Sequence, residues 1–343
     1  MSLSRPANFP LLKLPWLCIK DVVKSCDIFD IIFFAAISKK TRRIVRSFKI
    51  PLSGIKLRLL RQKWIELGMC KTWNFKNTRL ESLFDRYSKS HPLVLEKNTI
   101  PLYTSRTNDT LNSYFDGNEL IASKMVMEFL TDVFKCSIEL VSIDKLNIPV
   151  SGDIGVKSTE NLCINQNSSR PFGYAQSQKL NLLLENLEVT GRCDFLGTKT
   201  EKGFYVDPKL FKCQQLVFWS GSAAWVTREI LLQLEVPRLS FHYCPFSVED
   251  IVSFVTNWFH SDNKKLEYLC IETCGQIDSE HFQTQELNSV AFRKRNRVPP
   301  INRIELFARI DFSKGLEIVR HDGLQATIHV GMTDFMFYIW HNQ

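Results

Sequence analysis

Residues 28–37 form the stretch that most restricts how this chain can fold. All of them are apolar except Asp30, and the next ten residues include five lysines and arginines. At helical spacing, apolar side chains occupy two opposite faces of this stretch. One face carries Ile28, Ile31, Ile32 and Ala35, and the other carries Phe29, Phe33 and Ala36. A helix that is apolar on all sides must be buried on all sides.

The pattern predicts three short helices between residues 14 and 48. Pro15 suits a first helical turn, Asp27 is a good N-cap for the second helix, and Pro51 follows the third helix. About 40 residues cannot bury both faces of the middle helix, because domains of this size are only marginally stable. We therefore expect its apolar excess to form part of a protein-binding surface, while the basic third helix faces water.

These residues resemble an F-box. The resemblance follows the chain through residues 9–15, 22–23, 30–32 and 37–39. Many F-boxes have tryptophan where this chain has Thr41, but a basic and hydroxyl-rich stretch here is similar to the nematode F-box group. The resemblance implies an F-box at residues 8–50 that binds the Skp adaptor and, through it, cullin. The implied adaptor-binding residues are Leu14, Pro15, Ile19, Val22, Val23, Ile31, Ile32 and Ile37.

The rest of the chain divides into two parts by pattern. Residues 51–118 form a connecting segment with short strands, and a helix is predicted at about 119–134. Residues 119–343 then contain a loose repeat of strand cores about 23 to 30 residues apart, near the leucine-rich-repeat period. These cores lie at residues 162–164, 187–189, 216–218, 239–241 and 269–271. With helical patterns between the later cores, we expect a degenerate leucine-rich-repeat-like α/β domain and an α+β fold overall.

Residues 134–138, 246–251, 257–259, 265–269 and 320–330 resemble the F-box-associated domain (type 2) of the same nematode group. This resemblance implies that residues 119–343 bind a protein substrate. Side chains between the strand cores should point away from the core. They include Trp219 and His242, which we predict to bind substrate, and Val217, Ser240 and Cys270.

No catalytic motif, cofactor site or metal site is predicted. Glycine-rich nucleotide loops, G-x-S-x-G and H-E-x-x-H are absent from the sequence, and its ten cysteines contain no C-x-x-C pair. No apolar run reaches the roughly 18 residues of a membrane span, and Lys13 interrupts the apolar N-terminus. We therefore expect an intracellular protein, in the cytoplasm or nucleus, that is not an enzyme.

The two resemblances together imply a substrate-recognition subunit of a cullin–RING (SCF-type) ubiquitin ligase. An interaction scaffold without ubiquitin output is the alternative. A nucleic-acid-binding protein is a third interpretation, since residues 1–63 carry 14 lysines and arginines against three acids. No base-reading motif accompanies this charge, so we expect neither nucleic acid nor membrane as a partner. The sequence does not identify the protein substrate.

Overall fold

The computed structural model describes most of the chain, with gaps. The described residues are 11–68, 70–77, 91–93, 95, 102–115, 117–165, 175–197, 200–219, 221–273, 276–284, 287, 290–291 and 315–341. Phe9 and Pro10 of the F-box pattern therefore lie outside the described residues. The chain separates into two compact units: the first contains the N-terminal helices, most of the connecting segment and the next long helix, and the second contains most of the remainder.

The elements of the first unit begin with the three predicted helices. The helices are α1 (Trp16–Ser25), α2 (Ile28–Ile37), α3 (Lys39–Ser47) and α4 (Glu119–Val133). The strands are β1 (Pro51–Leu59), β2 (Lys63–Leu67), β3 (Lys71–Asn77), β4 (His91–Leu93), β5 (Leu102–Arg106) and β6 (Thr110–Phe115). The three-helix prediction is confirmed. The division into units differs from the predicted domain boundaries, because α4 belongs to the first unit.

Local sequence signals set the ends of these helices. The Asp27 carboxylate accepts a hydrogen bond from the Phe29 amide and caps α2 as predicted, and the Asn118 side chain caps α4 in the same way. Ser38 and Thr41 form a reciprocal capping box at the start of α3. Thr41 is buried there, so the residue that departs from the common F-box pattern has a defined structural role.

The strands of the first unit follow the order β1-β2-β3-β6-β5-β4. β2 pairs with β3 antiparallel, β3 with β6 parallel, and β6 with β5 antiparallel. Alternation along β1 directs Ile55, Leu57 and Leu59 into the core, where each is fully buried. β1 is one of the short strands expected in the connecting segment.

The second unit is built on a larger sheet. Its strands are β7 (Lys135–Asp144, which begins in the first unit), β8 (Ser158–Asn165), β9 (Glu188–Leu196), β10 (Gln215–Trp219), β11 (Arg238–Cys244), β12 (Tyr268–Thr273), β13 (Val290–Ala291), β14 (Leu316–Val319), β15 (Gln325–Val330) and β16 (Asp334–Trp340). Its helices are α5 (Ser177–Asn186), α6 (Arg228–Gln233) and α7 (Val248–His260). Strands β7 to β12 are successively parallel, and β16, β15, β14 and β13 extend the sheet antiparallel.

Aromatic side chains fill the helix-covered side of the parallel strands. Phe195, Phe218 and Phe241 stand side by side on β9, β10 and β11, with ring centroids 4.8 and 5.0 Å apart. Trp225 packs edge-on against Phe218, and Trp258 of α7 packs edge-on against Phe337 of β16. The expected strand–helix alternation over a parallel sheet is therefore present.

One predicted strand core is misplaced. The register aligns Cys193 and Phe195 of β9, rather than residues 187–189, with the cores of β8 and β10. The register shifts between Thr159 and Asn161, beside Gly191 of β9. A side chain at position 191 would collide with the carbonyl oxygen of Glu160, so glycine permits the close approach. Val189 instead lies near the start of β9, where it pairs with Thr159, and the irregularity shifts the register beyond it by one residue.

Candidate functional sites

The middle N-terminal helix, α2, is partly covered by its own chain. Phe29, Ile31, Ile32 and Ala35 are all buried. The Phe29 ring lies under two cations, with the Lys71 ammonium 5.8 Å and the Arg106 guanidinium carbon 5.4 Å from its centroid. The chain itself therefore covers part of the apolar surface of α2, through strands that the sequence pattern did not place, and the assignment of α2 to a protein-binding surface stays a prediction.

Charge reinforces this cover. Asp27 is 3.0 Å from the Lys71 ammonium and 3.1 Å from Arg106, which also pairs with Asp30. Burial tends to raise the pKa of the Asp27 carboxyl. The hydrogen bonds from Lys71 and the Phe29 amide, with the charges of Lys71 and Arg106, outweigh burial and lower that pKa. The start of α2 is thus held to the unit by ionised side chains.

The basic third helix also makes specific contacts. The Arg42 guanidinium donates to the Leu95 carbonyl and lies 4.9 Å from the Phe129 ring centroid, and Arg46 pairs with Asp132 of α4. The expectation of a freely solvated basic face is therefore incomplete. The binding of Arg42 and Arg46 by the unit also reduces the cationic surface available to a nucleic acid.

A groove lies between α1 and the outer face of α3. It has a volume of about 490 Å³ and is lined by Trp16, Lys39, Lys40, Arg43, Ile44 and Ser47. The indole of Trp16 packs on Phe48 with ring centroids 4.9 Å apart and is 48% exposed. Within the described part of the chain, no carboxylate pairs with Lys39, Lys40 or Arg43. The groove therefore combines an apolar wall with a basic rim.

Trp219 and His242 meet in the second unit. Their rings stack with centroids 4.2 Å apart and an interplanar angle of 11°, on the side of the sheet away from Phe218 and Phe241. The Trp219 indole N–H donates to Asp194 at 3.0 Å, and the His242 Nδ1 lies 3.0 Å from a Glu272 carboxylate oxygen. Both rings are thus fixed by carboxylates on neighbouring strands.

The two rings differ in accessibility. Trp219 is half-buried, whereas His242 is 2% exposed. Val217, Ser240 and Cys270, which were predicted to share their face, are also buried. Of this set, Trp219 alone retains a surface that a partner could contact. Its assignment to substrate binding, together with that of His242, stays a prediction.

Two family comparisons bear on these regions. The family described as F-box domain matches residues 11–53, and the family described as F-box associated matches residues 209–271. The first match covers the three helices and their capping residues, and the second runs from before β10 into β12. The chain is an F-box protein with an F-box-associated region. Neither family indicates an enzyme.

The relatives of this F-box protein agree with the nematode resemblance. One uncharacterized protein of Caenorhabditis elegans is 26% identical over 345 residues, which span 93% of this chain and 74% of the relative. Another uncharacterized protein of the same organism is 23% identical over 355 residues, spanning 97% and 79% of the two chains. No solved structure matches the chain significantly. Among the described helices, none combines the length and apolar character that a membrane crossing requires.

The eight predicted adaptor-binding residues of the F-box differ in solvent exposure. Ile19, Val23, Ile31 and Ile32 are buried, and Leu14 is half-buried. Exposed positions are Pro15, Val22 and Ile37, the last with 74% of its surface in water. Sequence reasoning missed further exposed apolar residues on the same helices and just before them, which are Leu12, Trp16 and Leu17. The sequence offered a signal for Leu17, which lies on the side of α1 opposite Ile19, but Trp16 is in line with Ile19 and Val23 and Leu12 precedes the helix.

Proposed function

We propose that this F-box protein is the substrate-recognition subunit of an SCF-type ubiquitin ligase. The observation that carries the proposal is the F-box itself, with its exposed apolar side chains. Leu17 is 69% exposed and Ile37 is 74% exposed, and both lie within the three matched helices. Large apolar side chains grouped on one module indicate a protein interface. The partner proposed for this interface is the Skp adaptor, and through it cullin.

The eight predicted contact residues receive two roles in this proposal. Pro15, Val22 and Ile37, with the half-buried Leu14 and the exposed Leu17, contact the adaptor directly. Ile19, Val23, Ile31 and Ile32 lie in the core of the module and hold those residues in position. We propose this division because a buried side chain can contact a partner only if the module opens.

The second unit supplies the receptor part of the proposal. We interpret its parallel strands and intervening helices as a degenerate leucine-rich-repeat-like domain, which offers a sheet surface to a protein substrate. The chain itself performs no chemistry. Tethering raises the effective concentration of a substrate lysine near the conjugating enzyme, on the order of millimolar for a short flexible link. The proposed function would place the protein in the cytoplasm or nucleus.

The proposal is tested by titrating purified Skp adaptor into the full chain. We expect Leu17→Asp and Ile37→Asp each to weaken adaptor binding at least tenfold, because apolar anchors at interfaces often contribute about 2 kcal/mol or more. Val319→Asp is the matched control, since Val319 is a 48% exposed apolar residue of the second unit. Thermal unfolding must be unchanged in all three variants. Adaptor affinity that is equal in all of them would refute the adaptor-binding surface.

Ubiquitin output needs a separate experiment. A complex of the chain with adaptor, cullin and RING protein should support ubiquitin transfer to a captured substrate. If the chain binds the adaptor but the chain–adaptor pair does not bind cullin, the scaffold function is the better description.

A further inference from the structure

The inference concerns the edge of the second unit where β10, β11 and β12 end. In open α/β sheets, ligands bind beyond the carboxyl ends of the strands. β10 ends at Trp219, β11 ends just after Tyr243, and β12 ends just after Glu272. Antiparallel β16 begins at the same edge with Asp334, directly opposite Glu272. We call Asp194, Trp219, Tyr243, Glu272 and Asp334 the carboxyl-edge surface.

Tyr243 is the most exposed aromatic residue of this surface. It is 65% exposed and has a left-handed backbone with φ of 54°. The register between β11 and β12 shifts between Phe241 and Cys244, so Tyr243 occupies a bulge. A left-handed backbone is strained for a residue other than glycine. The bulge directs a large aromatic side chain into water where a regular strand would not.

Trp219 adds a second aromatic group, and it is already ordered. Its ring is stacked on His242 and its indole N–H is bonded to Asp194. A partner that contacts Trp219 therefore loses little side-chain entropy, and tryptophan and tyrosine are the residues most often found as energetic anchors at interfaces.

The charge of this surface is negative, although the whole chain carries +8. Glu272 and Asp334 face each other across β12 and β16, and like charges at such paired positions are destabilising. Among the described residues, no lysine or arginine pairs with either carboxylate, and the contact of Glu272 is with His242. The negative charge of Asp194 is balanced by Arg192 at 2.8 Å. Within the described part of the chain, Glu272 and Asp334 thus have no lysine or arginine to balance their charge.

A cavity of about 540 Å³ continues this surface past the end of β12. It is lined by Gln276, Ile277, Asp278, Ser279, His281, Val330, Gly331 and Met332. The described lining residues include an acid, Asp278, and a histidine, His281, but no lysine or arginine. Met332 is 79% exposed, so the cavity also offers an apolar contact. Its edge meets the carboxyl-edge surface at Gly331, where any larger side chain would collide with the Asp334 carboxylate.

We propose that the carboxyl-edge surface binds a basic segment of the substrate protein. An arginine or lysine side chain lies over Trp219 or Tyr243 and pairs with Glu272 and Asp334, and neighbouring residues of the segment enter the cavity. Cations bind to aromatic faces and to carboxylates. This surface carries both kinds of group at the ends of neighbouring strands. The inference rests on the proposed receptor function and names the chemical class of substrate that it selects.

The test measures fluorescence anisotropy of a labelled peptide with six arginines separated by serines, titrated with the full chain at low salt. A peptide of the same length with six glutamates is the comparison probe. We expect the arginine peptide to bind and its affinity to fall with added salt. Because the chain has a net positive charge, general attraction would favour the glutamate peptide instead.

Three variants locate the binding. Tyr243→Gly removes the aromatic ring and relieves the backbone strain, Trp219→Leu removes the indole, and the double variant Glu272→Gln with Asp334→Asn removes charge at constant volume. Each should weaken binding of the arginine peptide at least tenfold. The controls are Tyr205→Ala, at a 48% exposed tyrosine, and the double variant Glu160→Gln with Glu188→Gln, at exposed acids.

Three outcomes overturn the inference. They are no binding of the arginine peptide, equal losses in the site and control variants, or undiminished binding in all three site variants. Circular dichroism identifies any variant that fails to fold. If Tyr243→Gly or Trp219→Leu does not fold, the result for the double charge variant, which conserves side-chain volume, decides whether the inference stands. Adaptor binding is measured on the same variants and should be unchanged. A chain that fails to bind adaptor but binds the peptide would refute the proposed function and leave this site intact.

Discussion

The Arg106 guanidinium lies over the ring of Phe29, with its central carbon 5.4 Å from the ring centroid. Arg106 ends β5, and Phe29 is the second residue of α2. This contact joins the F-box to the connecting segment within one compact unit. The connecting segment thus contributes to the fold of the F-box, in addition to linking it to the rest of the chain.

We predict that Arg106→Ala lowers the free energy of unfolding of the first unit by about 1 kcal/mol, as expected for a cation–π contact with a partly exposed ion pair. The loss should appear as a lower urea midpoint. Arg61→Ala, at an exposed arginine, is the matched control and should leave the midpoint unchanged. Equal midpoints for the two variants would show that Arg106 does not stabilise the F-box.

The charge of Asp27 predicts a pH dependence. Its pKa is lowered in the folded protein, so its contribution to stability is present above the unfolded value of about 3.9 and is lost as pH falls through the lower folded value. Asp27→Asn keeps a good N-cap for α2 but removes the charge. We expect this variant to be less stable than the natural chain at pH 7, by under about 1 kcal/mol, and equally stable near pH 2. A difference that persists at pH 2 would assign the effect to packing.

Much of the F-box was predictable because its signals are local. The N-cap at Asp27 and the end of the third helix before Pro51 involve neighbouring residues only. The cover over Phe29 was not predictable, since Lys71 and Arg106 are about 40 and 80 residues away and occur in segments with weak patterns. Charge and hydropathy identified the excess apolar surface of α2, but they did not identify what covers it.

In the sheet of the second unit, too, local sequence patterns predicted some features and missed others. A local signal marks the C-terminal hairpin: Asp322 and Gly323 form a turn between β14 and β15, and Gly323 has φ of 85°. Alternation correctly separated Trp219 and His242 from the phenylalanine side of the sheet. Tyr243 was missed because alternation fails at a bulge, and the pairing of Glu272 with Asp334 joins residues 62 positions apart. Pairings between distant strands are not encoded in a local pattern.

In both units, buried cysteines should be alkylated more slowly than exposed ones. Burial raises the pKa of the Cys136 thiol to about 11 and that of Cys213 to about 12, and it also raises the pKa values of Cys193 and Cys270. Thiolates react and thiols do not. Brief iodoacetamide treatment at pH 8, followed by peptide mass spectrometry, should therefore modify the exposed cysteines first, which are Cys18, Cys26 and Cys70. Early labelling of Cys193 or Cys270 would mean that the sheet of the second unit opens readily.

Arg320 gives the clearest test of how the C-terminal hairpin is held. Its side chain is completely buried, donates twice to the Asp322 carboxylate at 2.8 and 3.0 Å, donates to the Asn263 carbonyl at 2.9 Å, and lies 4.8 Å from the Trp258 ring centroid. The hydrogen bonds from Arg320 and from the Leu324 amide lower the pKa of the Asp322 carboxyl well below its usual range. One guanidinium thus joins the β14–β15 turn to α7 and to the loop that follows it.

We predict that Arg320→Lys destabilises the second unit by roughly 2 kcal/mol, because an ammonium keeps the charge but cannot make the forked contact with Asp322 while also reaching Asn263. The urea midpoint should fall, and Trp258 fluorescence should report the transition. His321→Ala, next to Arg320 but exposed, is the control and should change little. If Arg320→Lys unfolds at the same urea concentration as His321→Ala, positive charge alone suffices at this position and the fork geometry contributes nothing measurable.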